Sequence, residues 1–178
     1  MLEGTLVNLR APELTDLELD FTWINDREVT RFLNARYPMS LAAEEAWLRE
    51  LVTKRMSHEH VTFAIETKDG RHIGNTNLFN VVPEDRRAEL GIMIGEKDCW
   101  SRGFGTDAVR TLVRFAFDEM NLHRVQLHTY AYNERAIAAY RKACFVEEGR
   151  LRAFRYTAGA YHDAIVMAVV REDRPGAG

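Results

Sequence analysis

Apolar residues recur at helical spacing more clearly in one stretch of the chain than in any other. Across 108–120 they fall three and four positions apart, which places them on one side of a helix. We predict that this helix runs over 105–120. Weaker patterns of the same kind predict helices over 16–33 with a break near Asn25, over 41–56 with Ser40 as its N-cap, and over 134–143.

Alternation of apolar and polar residues indicates the strands. The clearest strand is 125–132, where Val125 and Leu127 share one face and His128 and Tyr130 share the other. Asp69-Gly70 is typical of a hairpin turn between two strands. The predicted strands cover 5–10, 61–67, 73–82, 88–94, 125–132, 145–156 and 161–170.

The order of these elements predicts the fold class. Hairpin strands come first and a strand–helix–strand–helix–strand run follows, so we expect an α/β protein built around one sheet. A chain of 178 residues with 46% hydrophobic and 29% charged residues fits one globular domain. We assign that domain to 1–171. Residues 172–178 include Pro175 and two glycines, and we expect them to form a flexible tail.

Charge and cysteine content limit the classes of partner. The net charge of -3 provides no overall basic field for nucleic acid. The longest apolar run, 164–170, is too short to span a bilayer, and no secretory segment opens the chain. Cys99 and Cys144 give neither a disulfide framework nor metal-ligand spacing. We therefore expect a cytoplasmic protein that binds no metal, no nucleic acid and no membrane.

A glycine-containing loop, 100–106, precedes the clearest helix. Gly103 and Gly105 leave room for a phosphate to approach the backbone, and Arg102 can add a charged contact. The start of the helix offers unpaired amides and a positive dipole end. A short glycine motif alone more often indicates an ordinary turn.

The same loop also fits a dinucleotide-binding fingerprint, since 103–108 reads G-x-G-x-x-A. That fingerprint requires an acidic residue about 20 positions further on. Residues 125–132 contain no Asp or Glu, and no Val/Ile-rich strand precedes the loop. A nucleoside triphosphate loop is excluded because the G-x-x-x-x-G-K-[ST] motif is absent from the sequence. The loop therefore predicts a phosphate site outside the usual dinucleotide context.

The succession of strand 88–94, loop 102–106, long helix, strand and segment 133–145 resembles the GNAT superfamily of N-acetyltransferases. The likeness extends to Leu9-Arg10, 23–26, 146–152 and 161–163. It is strongest to the subgroup of ribosomal-protein N-terminal and spermidine acetyltransferases. The resemblance implies the GNAT fold, a mixed central sheet that splays between two strands and carries helices on both faces.

The resemblance also implies the activity, which is direct transfer of an acetyl group from acetyl-CoA to a primary amine. A protein N-terminus, a polyamine and another small amine remain open as acceptors, and a homodimer is implied by analogy. Segment 23–55 is expected to form the acceptor wall. The implied coenzyme contacts are Ile92, Met93 and Ile94 for the pantetheine arm, Arg102, Gly103, Phe104, Gly105 and Thr106 for the diphosphate, and Asn133, Ala136 and Lys142 beside them.

Two residues are candidates for the catalytic chemistry. An amine with a pKa near about 10.4 must lose a proton before it attacks, and Glu89 is our candidate base. Glu89 could equally be an exposed glutamate paired with Arg86 or Arg87. A phenol loses its proton only near about 10, so Tyr140 could donate a proton to the departing thiolate. The helical pattern alone favours a core aromatic at Tyr140, and the resemblance favours the catalytic role.

Other residues are less informative or depart from the family. His128 could act as a base, although a solvent-facing role is the simpler interpretation. Trp100 and Cys144 stand where the family often has Gln or Arg and glycine, respectively. Without glycine, the helix before Cys144 must end with a strained left-handed residue or end differently. Acidic residues in the acceptor segment could suit a cationic polyamine, although neighbouring arginines dilute their field; these are Asp20, Asp26, Glu28, Glu44 and Glu45.

Two other functions are compatible with the sequence. The same fold can serve as an acyl-CoA-binding regulatory domain without catalysis. The fingerprint at 103–108 leaves a Rossmann-type NAD-binding oxidoreductase as a more distant alternative.

Overall fold

The computed structural model describes residues 1–53 and 61–173, and eight strands form one mixed sheet. The strands are β1 (Leu2–Glu3), β2 (Val7–Arg10), β3 (Val61–Thr67), β4 (His72–Val82), β5 (Arg87–Ile94), β6 (Arg124–Tyr130), β7 (Val146–Thr157) and β8 (Ala160–Val170). The helices are α1 (Leu17–Asn25), α2 (Arg27–Thr30), α3 (Leu41–Thr53), α4 (Phe104–Asp118) and α5 (Glu134–Lys142). The predicted α/β class is confirmed.

The sheet opens at its centre, between β5 and β6. The strand order is β1-β2-β3-β4-β5-β6-β8-β7, and β5–β6 is the parallel pair of the described sheet. Their pairing joins Arg87–Glu89 to Arg124–Gln126 and goes no further, although both strands continue. The predicted splay is therefore confirmed. A doubly wound dinucleotide-binding fold needs a largely parallel sheet, which the described strands do not form.

Helices cover both faces of the sheet, as expected for the GNAT fold. On one face Phe115 of α4 contacts the ring of Phe63 edge-on, with centroids 5.5 Å apart. Phe63 lies opposite Thr76 in the register of β3 and β4, so Asn75 points to the other face. There Asp20 of α1 accepts a hydrogen bond from the Asn75 amide at 2.7 Å.

The predicted elements agree with the structure except at a few boundaries. The break expected near Asn25 falls at Asp26, whose carboxylate caps α2 by accepting from the Glu28 amide at 2.8 Å. Ser40 caps α3 as predicted, since its Oγ accepts from the Ala43 amide at 3.2 Å. The sequence pattern missed the two-residue strand β1. The end of the predicted helix 41–56 lies outside the described residues.

At the C-terminal end, Arg171–Asp173 form a 3₁₀ turn. This turn includes the first two residues of the predicted tail, and 174–178 lie outside the described residues. The division between domain and tail stays a prediction.

Cys144 ends α5 in the left-handed conformation, with φ of 69°. The amide of Phe145 donates to the Tyr140 carbonyl at 3.0 Å, and that of Cys144 donates to the Arg141 carbonyl at 3.1 Å. These two bonds form a Schellman motif, which glycine normally completes at the position of Cys144. The strained helix end predicted for Cys144 is present.

Candidate active site

A cavity of about 870 Å³ occupies the opening between β5 and β6. Its walls come from both strands, the start of α4, the length of α5 and the segment that follows α2. Because the two strands separate after Glu89, the backbone of β5 beyond that residue has no strand partner on this side. An extended polar chain can therefore lie along this backbone, as β-augmentation requires.

The start of α4 has the backbone geometry that suits an anion. Gly103 is its N-cap with φ of 92°, and no side chain caps the helix. The amide of Asp107 donates to the Gly103 carbonyl at 2.9 Å, while the amides before it have no intrahelical acceptor. The Asp107 carboxylate instead accepts from the amides of Thr5, Leu6 and Val7, which ties β2 to α4. The uncapped amides and the helix dipole fit a diphosphate group.

Most of the predicted coenzyme contacts lie together in the cavity wall. Those that line it are Ile92, Met93, Ile94, Gly103, Gly105, Thr106, Asn133, Ala136 and Lys142. The side chain of Phe104 packs against the core instead, and Arg102 donates to the Asp98 carbonyl at 3.3 Å. Asn133 also caps α5, because its Oδ1 accepts from the Ala136 amide at 3.3 Å. The role of each residue toward the coenzyme stays a prediction.

Trp100 closes one end of the cavity in a way that sequence reasoning missed. Its indole Nε1 donates to the Ile94 carbonyl at 2.8 Å. The guanidinium of Arg135 lies 3.8 Å from the Trp100 ring centroid, and Phe32 contacts the same ring edge-on. Burial and the nearby Arg31 lower the pKa of Arg135. The stack joins the segment after α2 to the coenzyme loop, which explains why an aromatic residue suits position 100.

Glu89 lies where β5 and β6 separate, and its side chain is 18% exposed. Its Oε2 is 4.0 Å from Nδ1 of His128, and its Oε1 accepts from the Asn80 amide at 3.2 Å. The alternative pairing with nearby arginines is not found, since Arg86 bonds Asn121 and Arg87 bonds Asp85. Both Glu89 and His128 line the cavity. His128 therefore faces the site and not only solvent, contrary to the simpler interpretation of its sequence position.

Comparison with known protein families identifies the family of this chain. A family model described as an acetyltransferase (GNAT) domain matches residues 7–146.

The chain belongs to the GNAT acetyltransferase family. It is an acyltransferase that moves an acetyl group from acetyl-CoA to an amine. The spermidine N(1)-acetyltransferase of Vibrio cholerae is 28% identical to this chain, and the match covers 93% of each of the two proteins. The enzyme of that name from Escherichia coli K12 is 29% identical over 92% of this chain and 85% of its own.

A solved structure supports the same fold. The spermidine N-acetyltransferase from Vibrio cholerae, determined in complex with CoA and spermine, superposes with a TM-score of 0.85. It is 24% identical and the match covers 96% of this chain and 98% of that one. At 24% identity this likeness establishes only the fold of the present chain. The acceptor of the present chain must be inferred from its own residues.

In this acetyltransferase Tyr140 is buried and also lines the cavity. Burial raises the pKa of Tyr140 to about 12. Its ring packs against Phe145, with centroids 5.9 Å apart, and belongs to the core cluster. The core position that the helical pattern favours is therefore present, and the ring also borders the cavity, while the catalytic role stays a prediction.

The acceptor end of the cavity was only partly foreseen. Residues of the predicted wall 23–55 do line it, namely Val29, Phe32, Leu33, Asn34 and Arg36. Opposite them lie Tyr130 on β6, and Phe154 and Arg155 on β7. Arg155 belongs to no recognisable sequence motif. Its position in the cavity wall is apparent only from the fold, which places β7 beside the segment after α2.

The described residues contain no cluster of three or more His, Cys, Asp or Glu side chains that could hold a metal ion. No helix in the part of the chain that the structure describes is long and apolar enough to cross a bilayer.

Proposed function

We propose that this acetyltransferase transfers the acetyl group directly to a primary amine, with Glu89 and His128 removing the amine proton and Tyr140 assisting the departing sulfur. The observation that carries the proposal is the position of the Glu89–His128 pair at the opening between β5 and β6. The same cavity holds Tyr140 and the start of α4. One site thus offers a candidate base, a hydrogen-bond donor for the departing sulfur and a helix end suited to an anion.

Glu89 and His128 have complementary roles toward the amine. A protonated amine entering from the acceptor end meets the carboxylate of Glu89, which accepts its proton directly or through a water. His128 is 39% exposed, so it can pass that proton to solvent. No covalent acyl-enzyme is needed, and burial together with Asp98 raises the pKa of the Cys99 thiol, which disfavours a thiolate there.

Tyr140 is proposed to act through a hydrogen bond that its phenol donates to the departing sulfur. With a pKa of about 12, its phenol stays protonated at neutral pH. It is a weaker acid than a thiol, whose pKa is about 8.5, so full proton transfer to a free thiolate is unfavourable. A hydrogen bond from the phenol instead stabilises the charge that develops on sulfur. This modifies the role predicted from the sequence, because burial makes Tyr140 a hydrogen-bond donor and not a strong acid.

Backbone groups complete the site. The amides of 102–106 are proposed to hold the diphosphate, and the strand backbone at Ile92, Met93 and Ile94 to pair with the pantetheine arm. A main-chain amide near Met93 is proposed to bind the carbonyl oxygen of the acetyl group. The chemistry of the activated acyl group comes from acetyl-CoA itself.

The test is a turnover screen of acetyl-CoA against small amines and peptides, with product identified by mass. The variant Tyr140→Phe should lower kcat by about 10- to 100-fold, since one hydrogen bond to a developing charge is worth about 1.5–3 kcal/mol. Its affinity for coenzyme A should change less than about twofold. The matched control is Tyr161→Phe, a 69% exposed tyrosine on β8 that should behave as wild type.

Each outcome of the screen is informative. Unchanged turnover in Tyr140→Phe would remove Tyr140 from the mechanism. Coenzyme binding without product from any amine would contradict the proposed chemistry and favour the regulatory acyl-CoA-binding alternative.

We also propose that the enzyme is a cytoplasmic homodimer without nucleic-acid or membrane partners. Exposed aromatic side chains on the edge strand β7 support a dimer, with Phe154 and Tyr156 at least half exposed. Sedimentation velocity tests the assembly, and a sole monomer species at micromolar concentration would contradict it. Cell fractionation tests the location.

A further inference from the structure

Arg155 is a buried cation at the acceptor end of the cavity. The residue is 5% exposed, and its Nη1 and Nη2 donate to the Asn34 side chain at 2.9 Å and the Leu33 carbonyl at 3.2 Å. Its guanidinium lies 5.2 Å from the centroid of the Tyr130 ring. The Nε atom is buried without a hydrogen-bond partner. Every contact of this guanidinium is thus with a neutral group.

The positive charge of Arg155 has no carboxylate partner among the residues that the structure describes. Within residues 1–53 and 61–173, no carboxylate lies within ion-pair distance of it. A buried charge without a partner costs several kcal/mol, and proteins usually compensate it. Since Arg155 lines the cavity, a bound anion can provide that compensation.

The rest of the cavity wall is also positive. Among the described residues that line it, Glu89 is the carboxylate, whereas Arg36, Arg135, Lys142 and Arg155 are cations. Arg36 lies near Arg155 at the acceptor end, because its Nη1 donates to the Tyr156 carbonyl at 3.2 Å on the same strand. Lys142 belongs to the predicted coenzyme contacts, where phosphates would offset its charge, so Arg36 and Arg155 are the cations that matter for the acceptor. A polyamine would place several positive charges beside these two, which is unfavourable.

Acidic residues that might have favoured a polyamine have other partners or positions. Asp26 and Glu28 both pair with Lys97, and Glu45 pairs with Arg49. Asp20 is buried against His72, and Glu44 is buried near Asp20. None of these five carboxylates lines the cavity.

We propose that the acceptor is a small primary amine that also carries a carboxylate, which Arg155 binds while the amine faces Glu89 and His128. This inference rests on the proposed function. Arginine binds carboxylates through paired charge-assisted hydrogen bonds. The base is nearby, since Tyr130 under Arg155 follows His128 on the same face of β6, and Phe154 contacts the His128 ring at 6.3 Å. One substrate can therefore span the anion site and the base.

The test compares matched acceptors that differ only in the group remote from the amine. Amino acids with one to five carbons between amine and carboxylate are measured beside their carboxamides and beside the diamines of equal length. We expect the best carboxylate to exceed its carboxamide by at least about tenfold in kcat/KM, with the diamine poorest. Equal or better use of carboxamides or diamines overturns the inference and leaves the transferase assignment intact. No product from this panel, with turnover of another amine or a peptide in the broad screen, overturns the inference alone, whereas no product in either experiment contradicts the proposed function.

Variants separate binding from folding. In Arg155→Gln the carboxylate-to-carboxamide ratio should fall from about ten or more to near one, and Arg155→Lys should retain part of it. Arg152→Gln removes an exposed arginine from the same strand and should keep the ratio. An equal loss on both substrates in Arg155→Gln, with the ratio kept, would mean that Arg155 only supports the fold and would overturn the proposal. If Arg155→Gln does not fold, the ratio in Arg155→Lys and the wild-type panel decide the question.

Discussion

Oε2 of Glu89 lies 4.0 Å from Nδ1 of His128, at the point where the pairing of β5 with β6 ends. The two side chains come from strands about 40 residues apart in sequence and share one face of the sheet, since Glu89 is opposite Gln126 in the register. The separation of the strands thus creates the cavity and places a carboxylate and an imidazole at its edge.

Glu89→Gln should lower kcat by about 100- to 1000-fold, because the amide cannot accept the amine proton. His128→Gln should lower kcat by about tenfold, since the carboxylate remains. Steady-state kinetics with the best acceptor measures both. The matched control is Glu148→Gln, which removes an exposed glutamate paired with Arg124 and should leave kcat unchanged. Wild-type turnover in Glu89→Gln would assign the base to another group.

Gly103→Ala should weaken coenzyme A binding by about tenfold or more. A side chain at φ of 92° is strained by about 1–2 kcal/mol, and relief of that strain would move the first amides of α4. Gly159→Ala is the matched control, because Gly159 has φ of 81° in the β7–β8 turn with open space around it. Both variants should lose similar thermal stability, and only Gly103→Ala should lose affinity. Equal affinity in the two variants would contradict a binding role for this loop.

Cys144→Gly should stabilise the fold. The left-handed conformation costs a non-glycine residue about 1–2 kcal/mol, and the extra freedom of glycine in the unfolded chain offsets about 0.5–1 kcal/mol. We expect a rise in melting temperature of about 1–4 °C, measured by calorimetry. Both variants lose the contact of the sulfur with the core, but Cys144→Ala also keeps the strain, so it should be less stable than Cys144→Gly and no more stable than wild type. A lower melting temperature for the glycine variant would refute this explanation.

Glu44→Gln should stabilise the protein more at pH 8 than at pH 5. Burial, together with the charge of Asp20, raises the pKa of Glu44. The folded state therefore holds this proton more tightly than the unfolded state, so its stabilising effect is lost as the pH rises through the folded pKa. Chemical denaturation at the two pH values measures the difference. Glu45→Gln, a change at the neighbouring glutamate paired with Arg49, should show no such pH dependence.

Local patterns in the sequence were sufficient for much of the fold. The apolar stripe of α4 and the alternation of β6 depend on neighbours along the chain, so their positions could be predicted. The glycine loop before α4 could be located for the same reason, since a glycine pair before a strong helix is a local signal, and its binding of phosphate stays a prediction. The opening between β5 and β6 depends on where two distant strands stop pairing, and only the family resemblance implied it.

Partners that are distant in sequence explain what was missed. For Glu89, a pairing with Arg86 or Arg87 was left open beside the role of base, but these arginines bond elsewhere and the fold places His128 beside it. Arg155 meets Asn34 across 121 positions of sequence, so no local pattern indicates that contact. Trp100 stands where the family often has Gln or Arg. This difference was the available sign in the sequence that position 100 has a particular contact, which the structure shows to be a hydrogen bond to the Ile94 carbonyl.

The central claim is that main-chain amides at the start of α4 hold the diphosphate of acetyl-CoA. Isothermal titration calorimetry of the folded protein tests it, with coenzyme A compared against pantetheine, which lacks the diphosphate and the 3′-phosphoadenosine, and against 4′-phosphopantetheine, which restores one phosphate. We expect saturable binding of coenzyme A and at least about 100-fold weaker binding of pantetheine, since two or more charge-assisted hydrogen bonds are lost. No heat of binding with coenzyme A, or equal affinity for pantetheine, would contradict the claim.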